Sequence, residues 1–477
     1  MTRIFSGLLM AALLAGCGQK AAQTPAPQST STAKNVILFV GDGMGISTVT
    51  ATRIFDGQSK GLQGEENVLS FEKFPNVAMV KVYNTNQQVP DSAGTATAMM
   101  TGIKTRAGMI NVGPQANRRD CEAAGDNPLT SLGTIAKQRG KAVGFVTTTR
   151  VTHATPATVY ARSPERDWEF DTLTPSPVLE AGCPDIAWQL VNFGHGGLDV
   201  AMGGSSKAFF GSNRGGARRE PDVDLVREWL GGGAKRRYIA SAEQLESLKP
   251  GDQVLGLFAP SHMSYIAERE DDSTEPMLTD MALAAIDVLS GNDDGYFLMI
   301  EGGRIDHAHH DGRPGWALLE AQEFARAVGA VVEKVDLSKT LVLVTADHSH
   351  VFTMGGYATR GNPILGYVHK NDMRGEPLSE PDLAADGQPY TTLAYANGPG
   401  AVTEMPRPRP DTGVDALAQS LVPLEVRNAD GTIERDETHG GEDVTIYGIG
   451  PGSDAVRGVM EQNLVFTIMM DALGFSE

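Results

Sequence analysis

Positive charge is in short supply in this chain. Its 477 residues carry 40 Lys and Arg against 59 Asp and Glu, a formal net charge of −19. Such a balance excludes an extended clamp for a nucleic-acid backbone. It does not exclude small phosphorylated substrates, because bound cations reverse the potential inside a site. Long apolar runs are also missing: the one at residues 4–14 is too short to span a bilayer, and no second one follows. There is no internal repeat. Cysteine occurs only at 17, 121 and 183.

The short apolar run follows Arg3 and ends in Leu14-Ala15-Gly16-Cys17. A basic residue, a brief apolar core and small residues before the cut read as an export signal. The cysteine at that point makes residues 1–16 a bacterial lipoprotein signal, with Cys17 lipidated as the mature N-terminus. An ordinary signal peptide containing a cysteine is the alternative. Residues 17–34, rich in Ala, Thr, Ser, Gln and Pro, then read as a flexible tether, and the folded domain as 35–477. These features place the protein in the periplasm or cell envelope on an N-terminal lipid anchor. In that oxidising compartment Cys121 and Cys183 are expected to form one disulfide, an unpaired buried pair being the alternative.

One pattern recurs three times. Val36-Ile37-Leu38-Phe39-Val40 runs into Asp42, Tyr296-Phe297-Leu298-Met299-Ile300 into Glu301, and Leu341-Val342-Leu343-Val344-Thr345 into Asp347 and His348. Unbroken apolar runs of this length read as strands buried on both faces. Ligands bind outside the carboxyl ends of parallel strands, so the three acids converge in one crevice. Carboxylates that close repel unless cations lie between them, which points to metal. Asp306, His307, His309 and His310 follow the second strand closely.

Around these strands helices are expected at 46–55, 129–139, 185–192, 277–289, 316–335 and 454–473. Further strands are expected at 77–83, 142–147, 198–202, 253–258, 391–396 and 444–447. The βα alternation implies an α/β fold, a mostly parallel central sheet with helices on both faces. Residues 57–66 read as a polar loop, and the Arg-rich stretch 211–219 as a loop of solvated cations. Residues from about 361 to 436, rich in Pro, Gly, Asp and Asn, read as an inserted subdomain. Three other motifs leave alternatives open. Ser92, after Asp91 and before small helix-compatible residues, is either an anion-favouring helix start or part of an N-cap. His153 and Thr155 end another strand, as ligands or as loop residues. Arg166 beside Asp167 is either a surface pair or a two-pronged grip on phosphate oxygens.

Six stretches together carry a resemblance. They are Gly41-Asp42-Gly43-Met44-Gly45, Asp91-Ser92-Ala93-Gly94-Thr95-Ala96-Thr97-Ala98, the run Thr147–Ala157 with its Thr-His-Ala-Thr-Pro core, Glu301-Gly302-Gly303-Arg304-Ile305-Asp306-His307-Ala308-His309-His310, Thr345-Ala346-Asp347-His348-Ser349-His350, and Thr438-His439-Gly440-Gly441-Glu442-Asp443. Spread in this order from residue 35 to the C-terminus, they resemble the alkaline phosphatases, and His153 resembles the animal-type branch.

The resemblance implies a phosphomonoesterase that forms a phosphoserine on Ser92, with Arg166 clamping phosphate. It implies two zinc ions, one held by Asp306, His310 and His439, the other by Asp42, Asp347 and His348 with the Ser92 oxygen. It implies one magnesium on Asp42, Thr155 and Glu301 plus waters, with His153 reaching it through a water. Mixed nitrogen and oxygen donors suit zinc, and oxygen with retained water suits magnesium. Animal-type members carry Glu after the Phe258 position where this chain has Ala259, so no calcium site is implied. Pairing into a homodimer is implied, although animal-type members use an N-terminal helix where this chain has its tether. The competing readings are a phosphodiesterase or sulfatase on a related two-metal scaffold and a surface-anchored binding lipoprotein without catalysis.

Overall fold

The computed structural model describes residues 32–427 and 433–476; the export signal, Cys17 and the tether through residue 31 lie outside the described residues. In chain order the strands are β1 (Asn35–Gly41), β2 (Asn76–Lys81), β3 (Ala142–Arg150), β4 (Val200–Gly204), β5 (Arg236–Ile239), β6 (Gln253–Leu257), β7 (Tyr296–Gly302), β8 (Thr340–Ala346), β9 (Ser349–His350), β10 (Phe352–Met354), β11 (Leu393–Asn397), β12 (Gln419–Val422), β13 (Glu425–Arg427), β14 (Ile433–Arg435), β15 (His439–Gly440), β16 (Val444–Ile449) and β17 (Gly458–Glu461). Ten of them form one sheet in the order β17-β2-β16-β8-β1-β7-β3-β4-β6-β5. Only β16 runs against its neighbours, β2 and β8. The rest is parallel, as βα alternation requires.

β1 sits between β7 and β8, and Val36 through Val40 are fully buried. This is why it reads as an apolar run without alternation. The helix Pro314–Lys334 packs on the helices Leu278–Leu289 and Ile46–Ser59. It seats Phe324 edge-on against Phe39 with ring centroids 5.7 Å apart. A second helical group contains Ser92–Thr101, Ala154–Ala157 and Leu464–Ala472. A disulfide joins Cys121 to Cys183 across 62 residues, with Cα atoms 6.1 Å apart.

Three sequence expectations need correction. The stretch 454–473 is not one helix: Gly458, at φ +71°, breaks it, β17 adds to the sheet edge beside β2, and a helix covers only Leu464–Ala472. A left-handed backbone at that glycine cannot continue a right-handed helix. The helix from Ile46 runs on to Ser59, three residues into the supposed polar loop, where Gly57 lets the backbone of Gly64 lie against it. Nor are all the arginines of 211–219 solvated. Arg218 is buried and paired with Asp185 at 2.7 Å.

Candidate active site

The register of the central strands brings the acids together. Val40 lies beside Glu301 on β7 and Thr345 on β8, and Gly41 beside Gly302 and Ala346. Asp42 and Asp347 are therefore the next residues out at the same edge. β3 supplies the neighbouring position, with Thr147 opposite Glu301, and leads into His153 and Thr155. The short helix Arg304–His310 follows β7 and points Asp306 and His310, four residues apart, to one side. The last member arrives through the bridge β9–β15, which sets His439 opposite His350. Gly43 closes the β1 turn at φ +67°, where a Cβ would lie 2.4 Å from His350 Nε2, so no side chain fits.

Three of the histidines have their tautomer fixed by carbonyl acceptors. His310 Nδ1 donates to Glu437 O at 2.7 Å, His439 Nδ1 to Pro90 O at 2.7 Å, and His348 Nδ1 to Ser349 O at 3.3 Å. In their neutral form these rings present Nε2 lone pairs. Those of His310 and His439 face each other at 3.0 Å, with Asp306 Oδ1 at 3.5 and 3.3 Å from them. Two lone pairs and a carboxylate converging at this distance repel unless a cation joins them. Zinc bonds of about 2.0–2.1 Å in a tetrahedral shell require donor separations of this size.

A second set adjoins it. His348 Nε2 lies 3.4 Å from Asp42 Oδ1, 3.3 Å from Asp347 Oδ2 and 3.2 Å from Ser92 Oγ, and Ser92 Oγ is 3.4 Å from Asp42. Ser92 opens the helix Ser92–Thr101 and is buried, whereas the cap is made by Asp91, which accepts from Gly94 N at 3.1 Å. The N-cap role thus falls to Asp91, and Ser92 is the first residue of the helix. In a third cluster, Asp42 Oδ2, His153 Nδ1, Thr155 Oγ1 and Glu301 Oε1 are buried and find no hydrogen-bond partner among the described residues. Such orphaned atoms signal a missing ligand. Asp42, His153 and Glu301 offer donors within 4.8 Å of one another.

The electrostatics agree. Burial and then the charges of Asp347, Asp306 and Glu301 push the Asp42 carboxyl well up. Burial lifts Glu301 to about 7, against hydrogen bonds from Thr147 and Thr149. Asp306 is held well below the usual range although burial opposes it, because His310, His350 and His439 surround it. Asp42 and Glu301, crowded and buried in this way, stay ionised at neutral pH when compensating cations lie beside them. Arg166 donates to Asp91 Oδ2 at 3.1 Å and to His153 Nε2 at 3.0 Å; it is not a surface pair with Asp167.

His350 and Glu437 escaped the sequence reading as site residues. His350 gives Nε2 to Asp306 Oδ1 at 2.8 Å and Nδ1 to Glu437 Oε2 at 2.6 Å, so both its nitrogens are spent on carboxylates. It orients Asp306 and leaves no lone pair for a metal. Its signal was its place two residues after His348, the strand period that keeps two side chains on one face. His309 takes no part: it is buried between Thr48 Oγ1 at 3.0 Å and Tyr395 OH at 2.8 Å.

A family profile described as alkaline phosphatase matches residues 33–475. The human tissue-nonspecific isozyme of alkaline phosphatase is 43% identical over 463 residues, covering 92% of this chain and 84% of that protein. The Thermus thermophilus alkaline phosphatase structure superposes with a TM-score of 0.67 at 24% identity, covering 98% of this chain and 96% of its own. A mutant of the alkaline phosphatase from the Antarctic bacterium TAB5, with Mg bound in the M3 site, matches with a TM-score of 0.62 at 21% identity over 94% of this chain and 99% of its own. The chain belongs to the alkaline phosphatase family and is a metal-dependent hydrolase of phosphate monoesters.

Proposed function

We propose that the reaction runs through a phosphoserine on Ser92, with two zinc ions and one magnesium held by the three clusters. Asp306, His310 and His439 would hold one zinc, and Asp42, Asp347 and His348 the other. Asp42, Thr155 and Glu301 would hold magnesium, the kind of ion named in the TAB5 mutant. The observation that carries this reading is the pair of opposed Nε2 lone pairs of His310 and His439 at 3.0 Å. Zinc, when bound, supplies Lewis-acid charge that lowers the pKa of an attached hydroxyl and neutralises developing oxyanions.

The chain's own groups do the rest. Ser92 Oγ, at the start of a ten-residue helix, attacks phosphorus where backbone N–H groups and the helix dipole favour negative charge. The new Oγ–P bond replaces the ester O–P bond and the alcohol leaves. Water then forms the next O–P bond in line, Oγ–P breaks, and inorganic phosphate departs. Arg166, held by Asp91, turns its remaining donors to the non-bridging oxygens in both steps. Because Arg166 can only donate, His153 Nε2 must accept, which leaves Nδ1 as an N–H donor. A donor cannot ligate a cation, so His153 serves the third site through a water.

Ala259 O accepts from the backbone of Ser205 and Ser206 at 3.0 Å, and the missing carboxylate at that position supports a site set without calcium. The anchor on Cys17, the periplasmic location, homodimer pairing and the division into signal, tether and domain with an insertion near 361–436 are part of the same proposal. They rest on the sequence signals. No helix among the described residues is long and apolar enough to cross a membrane. Metal analysis tests the proposal: the purified protein should carry two zinc and one magnesium per chain and lose monoester hydrolysis on chelation. Full activity in metal-stripped protein would overturn it.

A further inference from the structure

Beside the cluster of Asp306, His310 and His439 opens a cavity of about 450 Å³. His310 and Asp436 form its inner wall, so it begins where the metal cluster of Asp306, His310 and His439 ends. Ser92 Oγ belongs to the other cluster, and an in-line displacement expels the alcohol opposite the attacking oxygen, toward the cluster that shares His310 with this cavity. The cavity is also lined by Arg304 and Tyr265 and, from the paired strands β13 and β14, by Val426 and Arg435.

The charges in this cavity are unequally committed. Its two acids are spent: Asp311 accepts from Tyr265 OH at 2.6 Å, and Asp436 Oδ1 accepts from Glu437 N at 2.8 Å and lies 2.9 Å from His310 Nδ1. Its two arginines are not. Arg304 uses one nitrogen on His307 Nδ1 at 3.0 Å, its buried Nε has no partner, and its Nη2 makes no hydrogen bond among the described residues. The guanidinium lies 3.5 Å over the Tyr265 ring, which is itself packed on Trp316 with centroids 4.8 Å apart. Arg304 is therefore held in place before any ligand arrives, and little ordering entropy is lost on binding. Arg435, exposed at the end of β14, has only a 3.5 Å bond to Pro399 O among the described residues. The two guanidinium groups balance the cavity's two carboxylates in charge, and among the described residues most of their N–H donors are uncommitted and open to an oxyanion.

We propose that this cavity receives the leaving alcohol and selects phosphate monoesters whose alcohol carries a second oxyanion, a carboxylate or another phosphate, gripped by Arg304 and Arg435. The inference rests on the phosphatase reading and adds a substrate class to it. A fork of N–H donors suits either oxyanion. Neutral alcohols would gain nothing from the arginines.

The test is the preference ratio of the metal-loaded enzyme: kcat/KM for 3-phosphoglycerate and for propanediol bisphosphate, each divided by that for glycerol 2-phosphate. Native protein should show ratios above one. Arg435→Ala, on an exposed strand, and Arg304→Met should each cut the ratio about tenfold, the size expected for one charge-assisted hydrogen bond near a surface, with the loss in KM. A fall for only one of the two esters assigns the cavity to that oxyanion. Ratios unchanged in both variants would overturn the substrate class while leaving the phosphatase reading intact. Hydrolysis of none of the three esters by native protein would overturn both.

Discussion

His350 and Glu437 form a buried pair, Nδ1 to Oε2 at 2.6 Å, and the same imidazole reaches Asp306 Oδ1 at 2.8 Å. Glu437 also offers its backbone oxygen to His310 Nδ1 at 2.7 Å and takes Val351 N at 2.9 Å on its other carboxylate oxygen. One residue thus aims two members of the same cluster, a carboxylate through an imidazole and an imidazole directly.

Removing that support should loosen the metal without removing a ligand. Glu437→Gln and His350→Ala are each expected to weaken zinc retention by about 10–100-fold, the usual cost of losing a group that orients a ligand. Competition with a chromogenic chelator reads this directly, independent of turnover. Unchanged zinc affinity in both variants would show that the pair is only packing.

The metal-free protein should become less stable as pH rises. Burial lowers the His310 and His350 pKa values, but Asp306 with Asp436, and Glu437 with Asp306, outweigh it and lift them to about 9 and about 10. Groups with a raised folded pKa contribute stability that is complete below their unfolded value near 6.5 and is lost as pH climbs through the folded value. Glu301, lifted to about 7, costs stability as it ionises, which has the same sign. Chelated protein is therefore expected to melt at lower temperature at pH 9 than at pH 6.5. Zinc addition at pH 7.5 should release protons, measurable by calorimetry in buffers of different ionisation enthalpy.

Arg166 should matter for monoesters more than for diesters, because only a monoester presents the full set of non-bridging oxygens to its fork. Arg166→Ala is expected to lower kcat/KM for a monoester by about 10²–10³, with a smaller loss on a matched diester. Equal losses on the two substrates would place Arg166 in general positioning of the site through Asp91 and His153.

The Cys121–Cys183 bridge closes a 62-residue loop away from the clusters. Loop-closure entropy for that span is worth about 4 kcal/mol. The double variant Cys121→Ser/Cys183→Ser should unfold at clearly lower denaturant while its turnover at 25 °C stays near that of the parent.

Much of the site could be read before folding because it lies on strands buried on both faces. Their apolar runs stop abruptly at Asp42, Glu301 and Asp347, and the sheet's parallel register does the gathering. What the reading missed was set by tertiary contact. His350 looks like any histidine in a polar turn until β15 pairs with β9 and brings Glu437 and Asp306 to its two nitrogens. Arg218 looked solvated because Asp185, its partner, lies 33 residues away. The stretch 454–473 had helical composition, and one left-handed glycine at 458 with a vacant sheet edge decided otherwise.

The central claim is a covalent phosphoryl group on Ser92, and rapid acid quenching of the metal-loaded enzyme with labelled phosphate monoester tests it most directly. The label should sit on Ser92 in the native protein, and in Ser92→Ala it should vanish along with nearly all turnover. Ser92→Ala that hydrolyses monoesters at close to the native rate, with no phosphoserine in the native protein, would contradict the account.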